Sequence, residues 1–315
     1  DMYVRLVSAI KGLLGLMEGL SEEQKVAKIS SFVKEGATPL ETADAIENML
    51  AIYNLFAPIN EKFAKEIVLD PARIEKIGFL GQLSESKNLA KAINGFMDIM
   101  QEFKETDPDR LIDTLIAFIG DKAVDAKTIA IRINQRVENA VTSYNLFVSS
   151  DEKFAKWLVF NPKKADELGI FFNPTIKGDK KLFRRAAAGF KGIMKLIPEL
   201  NNDKKLEILT AFVRTDISSI AQSMENASGL YNFFATMDTG LAKSVALDPN
   251  KVNTLAFLLN IKRKPYSERL IKAIAGLIGF MNSYSNDEKF TILASFISTA
   301  GDQIQKTAKK IEKAI

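Results

Sequence analysis

Three stretches decide how this chain folds: Tyr53-Asn-Leu-Phe56, Tyr144-Asn-Leu-Phe147 and Tyr231-Asn-Phe-Phe234. Each leads into a second signature, Phe63-Ala-Lys65, Phe154-Ala-Lys156 and Leu241-Ala-Lys243. Eight residues after the leading apolar residue of that signature stands a proline behind a capping residue: Asp70-Pro71, Asn161-Pro162 and Asp248-Pro249. An Asx side chain that accepts from first-turn amides, with proline's fixed φ behind it, starts a new helix. The tyrosines lie 91 and then 87 residues apart.

Between these blocks runs a second recurring half-unit. Its first part is Lys11-Gly-Leu-Leu-Gly-Leu-Met17, Asn94-Gly-Phe-Met-Asp-Ile-Met100, Ala188-Gly-Phe-Lys-Gly-Ile-Met194 and Ala275-Gly-Leu-Ile-Gly-Phe-Met281. A phenylalanine follows 20 to 23 residues after the first glycine of each: Phe32, Phe118, Phe212 and Phe296. Counting back from it, matched columns at −6, −3, 0 and +1 read Val26, Ile29, Phe32, Val33 in the first copy and Ile112, Leu115, Phe118, Ile119 in the second. The third gives Leu206, Leu209, Phe212, Val213, and the fourth Phe290, Leu293, Phe296, Ile297. That spacing lays an apolar stripe along one helix face. Ser21 with Gln24 and Ser285 with Glu288 have capping-box spacing, and Asp107-Pro108 offers a cap followed by proline. No period-2 strand pattern stands out.

The order is A-B-A-B-A-B-A, an all-α chain of tandem helical repeats of about 90 residues, about 3.5 copies. The units read as 1–80, 81–173, 174–258 and a half unit with a C-terminal helix at 259–315. The period is long for the common helix-pair repeats, so each unit is expected to be a small helical bundle. Such bundles stack into an elongated solenoid or string. Trp157 is the sole tryptophan, and Glu66 and Ser244 hold its matched positions, so it is no repeat signature.

Composition narrows the chemistry. With 47% hydrophobic and 26% charged residues the chain suits a folded protein. It holds neither cysteine nor histidine, which removes disulfides, thiolate nucleophiles, the usual general base and the commonest metal ligand. No apolar run approaches the roughly 18 residues of a membrane-spanning helix. The absence of cysteine favours an extracellular or surface setting over a cytoplasmic one. Asp1 follows no basic-then-apolar leader, which reads as a processed form or a fragment.

A catalytic residue is needed once, whereas a packing residue is needed in every copy. Phe32, Phe118, Phe212, Phe296, Tyr53, Tyr144 and Tyr231 are therefore expected to form the repeat core. Asn54, Asn145 and Asn232 are expected to hydrogen-bond into the adjoining turn, and Lys65, Lys156 and Lys243 to lie along apolar surface in solvent. The Gly-x-x-Gly pairs at 12/15, 189/192 and 276/279 sit inside helical periodicity, where small residues permit close helix approach rather than phosphate binding. Asp107 with Asp109, and Glu22 with Glu23, stand at helix starts, where acidic residues are favoured anyway. The reading is a non-enzyme with no cofactor and no metal, a scaffold for a protein partner or for itself.

Charge is the feature that is not repeated. Residues 1–160 carry 19 basic and 24 acidic side chains, net −5, and residues 161–315 carry 24 and 15, net +9. Lys177, Lys180, Lys181, Arg184 and Arg185 form a basic cluster, echoed by Lys262, Arg263, Lys264, Arg269 and Lys272 one unit later. Such a stripe offers an alternative function, binding of an acidic partner, an anionic polymer or a membrane surface. Aromatic interleaving is thin there, which does not favour nucleic acid. The opposed charges also suggest head-to-tail self-association. Against it, residues 303–315 read as a lysine-rich amphipathic helix that could act as a polar cap, with Ile304, Ala308, Ile311 and Ile315 inward.

Overall fold

The structure, a computed structural model, describes residues 2–33, 35–120, 125–169, 180–213, 217–261, 267–298 and 304–315. Among these residues the chain is all-helical, without a strand. The first copy of the sequence pattern forms α1 (Met2–Leu16), α2 (Glu22–Phe32), α3 (Pro39–Phe56), α4 (Glu61–Val68) and α5 (Pro71–Ile77), with a 3-10 turn at Gly78–Leu83. The second forms α6 (Lys87–Glu102), α7 (Pro108–Ile119), α8 (Ala126–Phe147), α9 (Glu152–Phe160) and α10 (Pro162–Asp166). The third forms α11 (Lys180–Met194), α12 (Asn202–Val213), α13 (Ile217–Phe234), α14 (Thr239–Ala246), α15 (Pro249–Leu255) and α16 (Phe257–Ile261). Then come α17 (Ser267–Phe280), α18 (Asn286–Ser298) and α19 (Ile304–Ala314).

Local signals account for the helix starts. Pro71, Pro162 and Pro249 each occupy the first position of a helix. Asp70 Oδ1 accepts from Ala72 N–H at 3.0 Å, and Asp248 Oδ1 accepts from Asn250 N–H at 2.9 Å. The Ser21 and Gln24 capping box closes at 3.0 and 3.3 Å. The end of α7 is set by Gly120, whose φ of 77° lies in the left-handed region that glycine enters without strain.

Contacts divide the chain into two compact units, Asp1–Val141 with Val159–Lys163, and Thr142–Leu158 with Lys164–Ile315. In the first, α1 packs on α3, α3 on α4 and the 3-10 turn, and α5 on α7. Its buried residues include Leu13, Met17, Ile46, Phe56, Phe63, Phe96 and Phe118. Phe56 meets Phe63 edge-on at 5.7 Å, and Phe96 meets Phe118 at 5.1 Å. In the second unit, α11 packs on α13, α13 on α14, α14 and α15 on α18, and α17 on α19. Phe147, Phe154, Phe190, Phe212 and Phe234 lie in one buried cluster there.

The small residues permit close approach in two copies. A Cβ added at Gly12 would lie 2.7 Å from a Leu50 methyl, and one at Gly189 would lie 2.3 Å from Met224 Cβ. Thus α1 meets α3, and α11 meets α13, through a missing side chain. At Gly15, Gly95 and Gly279 an added Cβ would meet nothing within 4 Å, so the same reason does not reach them.

Candidate functional site

Polar side chains join the helices of the chain in three recurring sets. The first set joins the opening helix of a copy to its third helix. Arg5 of α1 forks onto Glu47 of α3, with Asp44 2.7 Å away. Arg185 of α11 reaches Glu225 of α13 at 2.6 and 2.7 Å, and Arg269 of α17 reaches Glu312 of α19 at 2.8 and 2.5 Å. A guanidinium presents two parallel N–H groups to a carboxylate, so this geometry fixes orientation as well as distance. The Arg185 hydrogen bond holds the Glu225 carboxyl below its ordinary value.

A second set joins the helix behind each Asx-Pro to the next copy. Arg73 meets Asp109 at 3.0 Å, Lys164 approaches Asp203 at 3.9 Å, and Lys251 meets Asp287 at 2.5 Å. Each cation stands two residues after its helix-opening proline, and each acid two residues after the cap of the receiving helix.

The third set is buried. Lys205 of α12 is 4% exposed and donates to Asp151 at 2.6 Å and to the Pro198 carbonyl at 3.1 Å. Lys289 of α18 is 6% exposed and donates to Asp238 at 2.6 Å. Both acids also cap a helix, Asp151 accepting from Phe154 N–H and Asp238 from Leu241 N–H, each at 2.9 Å. Both lysines stand seven residues before the column phenylalanine. In the second copy that column is Leu111, buried, and the matched cap is Asn60, which accepts from Phe63 N–H at 3.0 Å. Where the lysine is replaced by leucine, the aspartate is replaced by asparagine, which removes both charges together. A cavity of about 280 Å³, lined by Asn60, Phe63, Met97, Met100 and Leu111 among others, lies at this neutral junction.

Burial raises the Asp151 carboxyl, but the bonds from Lys205 and from Phe154 N–H outweigh it, and the group titrates below the usual carboxylate value. Asp238 behaves alike through Lys289 and Leu241 N–H. A depressed folded pKa stabilises the fold above the unfolded carboxylate value of about 3.9, and the contribution is lost as pH falls through the folded value. Acid titration of thermal stability is therefore expected to show a loss starting near that value. The Asp151→Asn with Lys205→Leu double variant is expected to lose less over the same range.

The other sequence-marked residues fall as follows. Phe118 and Phe212 are buried, whereas Phe32 and Phe296 are half-buried. Tyr53, Tyr144 and Tyr231 are half-buried in all three copies. Asn54, Asn145 and Asn232 are exposed, and the helix-end bonds expected of them are made by Asn60, Asp151 and Asp238 further along. Lys65 and Lys156 pair with Glu61 and Glu152 one turn back, and Lys243 approaches Glu199 at 3.4 Å. Asp107 caps α7, and Glu22 pairs with Lys25.

Of the basic clusters, Arg185 and Arg269 are held in the first set of ion pairs, while Lys181, Arg184 and Lys272 are exposed. Lys177, Lys262, Arg263 and Lys264, and the side chain of Lys180, lie outside the described residues. Among the described residues no acidic cluster of metal-binding size occurs, and no helix is long and apolar enough to cross a membrane.

The apolar columns separate the first copy from the others. Ile112 and Leu206 are each 1% exposed, but Val26, in the same column, is 62% exposed. Val33 is exposed where Ile119 is buried. No residue of α2 is buried, whereas α7 and α12 bury four or more each. On α1, Tyr3, Val4, Val7 and Leu14 are exposed as well. Comparison of the chain with family models, with curated proteins and with solved structures finds no match.

Proposed function

We propose that this chain is a non-catalytic scaffold of tandem helical repeats, stacked as an elongated solenoid or string of bundles, that presents an extended surface to a protein partner or to another copy of itself. The observation that supports it is the reuse of polar side chains. The Asx-Pro cations with their acids and the buried Lys–Asp pairs return at matched positions, and the Arg–Glu forks join the opening helix to the third helix in three copies. Side chains committed to junctions in several copies serve architecture. Small-angle scattering tests the stacking. A compact globule of this length has a radius of gyration of about 20 Å, and stacked units are expected to exceed about 25 Å. A value near the compact one would contradict the solenoid.

A second reading, capture of an anionic ligand, polymer or membrane surface, rests on the exposure of Lys181, Arg184 and Lys272 and on the +9 half of the chain. Heparin chromatography separates the two. The scaffold reading expects retention to survive reversal of these three to glutamate, and the anionic reading expects it to collapse.

A further inference from the structure

The cavity of about 280 Å³ at the neutral junction is lined by residues of α4, α6 and α7 and of the turn after α6. The next copy carries larger groups at two of the matched positions. Leu111 stands where that copy has Lys205, and Glu66 where it has Trp157, whose indole stacks on Phe154 at 5.8 Å. Both exchanges withdraw bulk from this junction, and Phe63, the match of Phe154, lines the cavity.

The groups that hold the Lys205 ammonium have counterparts here. Lys205 Nζ donates to Asp151 and to the Pro198 carbonyl, and Asn60 and Lys104, at the matched positions, both line the cavity. A carboxylate reaches the same place from another position. The Glu105 side chain lines the cavity and is 10% exposed, whereas that of its match Glu199 is 59% exposed and approaches Lys243. The preceding residue accounts for the difference. Lys104 has a φ of 58°, in the left-handed region, while the ring of Pro198 holds φ near about −65°, so the chain leaves the two helices on different courses. Glu105 Oε1 accepts from Thr106 and Asp107 N–H at 3.1 and 3.2 Å, and Arg110 meets Oε2 at 2.8 Å. A carboxylate offers about four acceptor positions, so one remains. Glu66, 3.8 Å from Lys62, brings a second carboxylate to the cavity.

We infer that this cavity binds a primary ammonium on a short apolar stem, in the seat that the chain's own lysine fills in the next copy. The ammonium has three N–H donors, and the seat offers three acceptors: Asn60 Oδ1, the Lys104 carbonyl and the Glu105 carboxylate. Asn60 Oδ1 already accepts from Phe63 N–H and keeps one lone pair for the ligand. The stem lies against Phe63, Met97, Met100 and Leu111, each 6% exposed or less. Methionine side chains adjust to the shape of what they cover. A cavity of about 280 Å³ is at the lower end for ligand pockets, about 300 Å³, which limits the stem to a few carbons. An alcohol of the same length brings no charge to Glu105, and a carboxylate there meets a carbonyl and another carboxylate.

The site goes beyond the scaffold reading, and scattering that shows stacked units beside a failed titration would leave that reading standing. The test is a titration of the whole chain, labelled at its methionine methyl groups, with n-pentylammonium chloride, followed by NMR. Met97→Leu and Met100→Leu variants assign the two signals. Saturable shifts are expected at Met97 and Met100, with Met194, the match of Met100, unmoved. Binding of n-pentanol and of pentanoate is expected to be weaker by roughly tenfold or more. Lysine blocked at both backbone ends is titrated beside n-pentylammonium, and the tighter of the two names the source of the ammonium, a protein's lysine or a free amine. Glu105→Gln is expected to weaken the ammonium roughly tenfold and to leave n-pentanol unchanged. Asn60→Asp with Leu111→Lys rebuilds the junction of the next copy, and its own ammonium is expected to displace the probe roughly tenfold or more. Should that double variant lose helix by circular dichroism, Glu66→Trp, which copies Trp157, takes its place with the same expectation. No saturable shift at Met97 and Met100 would overturn the inference. Equal binding of n-pentanol would show an apolar cavity only and overturn it too, as would binding indifferent to Glu105→Gln or retained in the folded filled variant.

Discussion

Replacing Lys205 by methionine is expected to cost about 3 kcal/mol, because it leaves the Asp151 carboxylate largely buried without its cation. The chain itself supplies the control. Its second copy has the neutral combination Asn60 and Leu111 at the matched positions, with Leu111 buried and Asn60 still capping its helix. Asp151→Asn together with Lys205→Leu is therefore expected to lie within about 1 kcal/mol of the parent, since a buried ion pair and a packed apolar replacement are often close in free energy. The single changes and the double change form a cycle whose coupling reads the pair directly. Denaturant unfolding of the four proteins, followed by circular dichroism, measures it. Equal losses in the single and double variants would place the stabilisation elsewhere.

Truncating Phe118 to alanine is expected to cost about 3–5 kcal/mol, the range for deleting a fully buried aromatic ring. Its ring has no exposed surface and stands edge-on to Phe96 at 5.1 Å. The same change at Phe32 is expected to cost about 1 kcal/mol, since a half-buried ring forfeits less apolar burial and leaves no closed cavity. Both variants share one column of the sequence pattern, so the difference measures what covers the column and not what occupies it. Comparable losses at the two positions would show that α2 is as well packed as α7.

The helical class was legible because its signals are local. Asx-Pro dipeptides, capping boxes and 3.6-residue apolar spacing act within a turn or two, and Pro71, Pro108, Pro162 and Pro249 all open helices. The burial of the Phe columns is less local, since Phe118 and Phe212 are buried where Phe32 and Phe296 are half-buried. What covers a column is a property of distant segments, and Val26 reads like Ile112 and Leu206 until the segment over them is known. The junction ion pairs were less visible. Lys205 and Lys289 sit inside lysine-bearing helix starts that look solvated, and their acids Asp151 and Asp238 lie 54 and 51 residues away. One signal could have found them: the −7 column changes from lysine to leucine in the one copy whose preceding cap is asparagine. Counting cations also does not show that Arg185 and Arg269 face Glu225 and Glu312 on a neighbouring helix.

The central claim is that one junction recurs along the chain, and that the apolar column buried in α7 and α12 is exposed in α2. Amide hydrogen exchange of the intact chain, followed by peptide mass, tests it most directly, since exchange reports the opening free energy segment by segment. The account predicts slow exchange in α7 and α12, and exchange at least a hundredfold faster in α2, despite its capping box. Protection of α2 equal to that of α7 and α12 would contradict it.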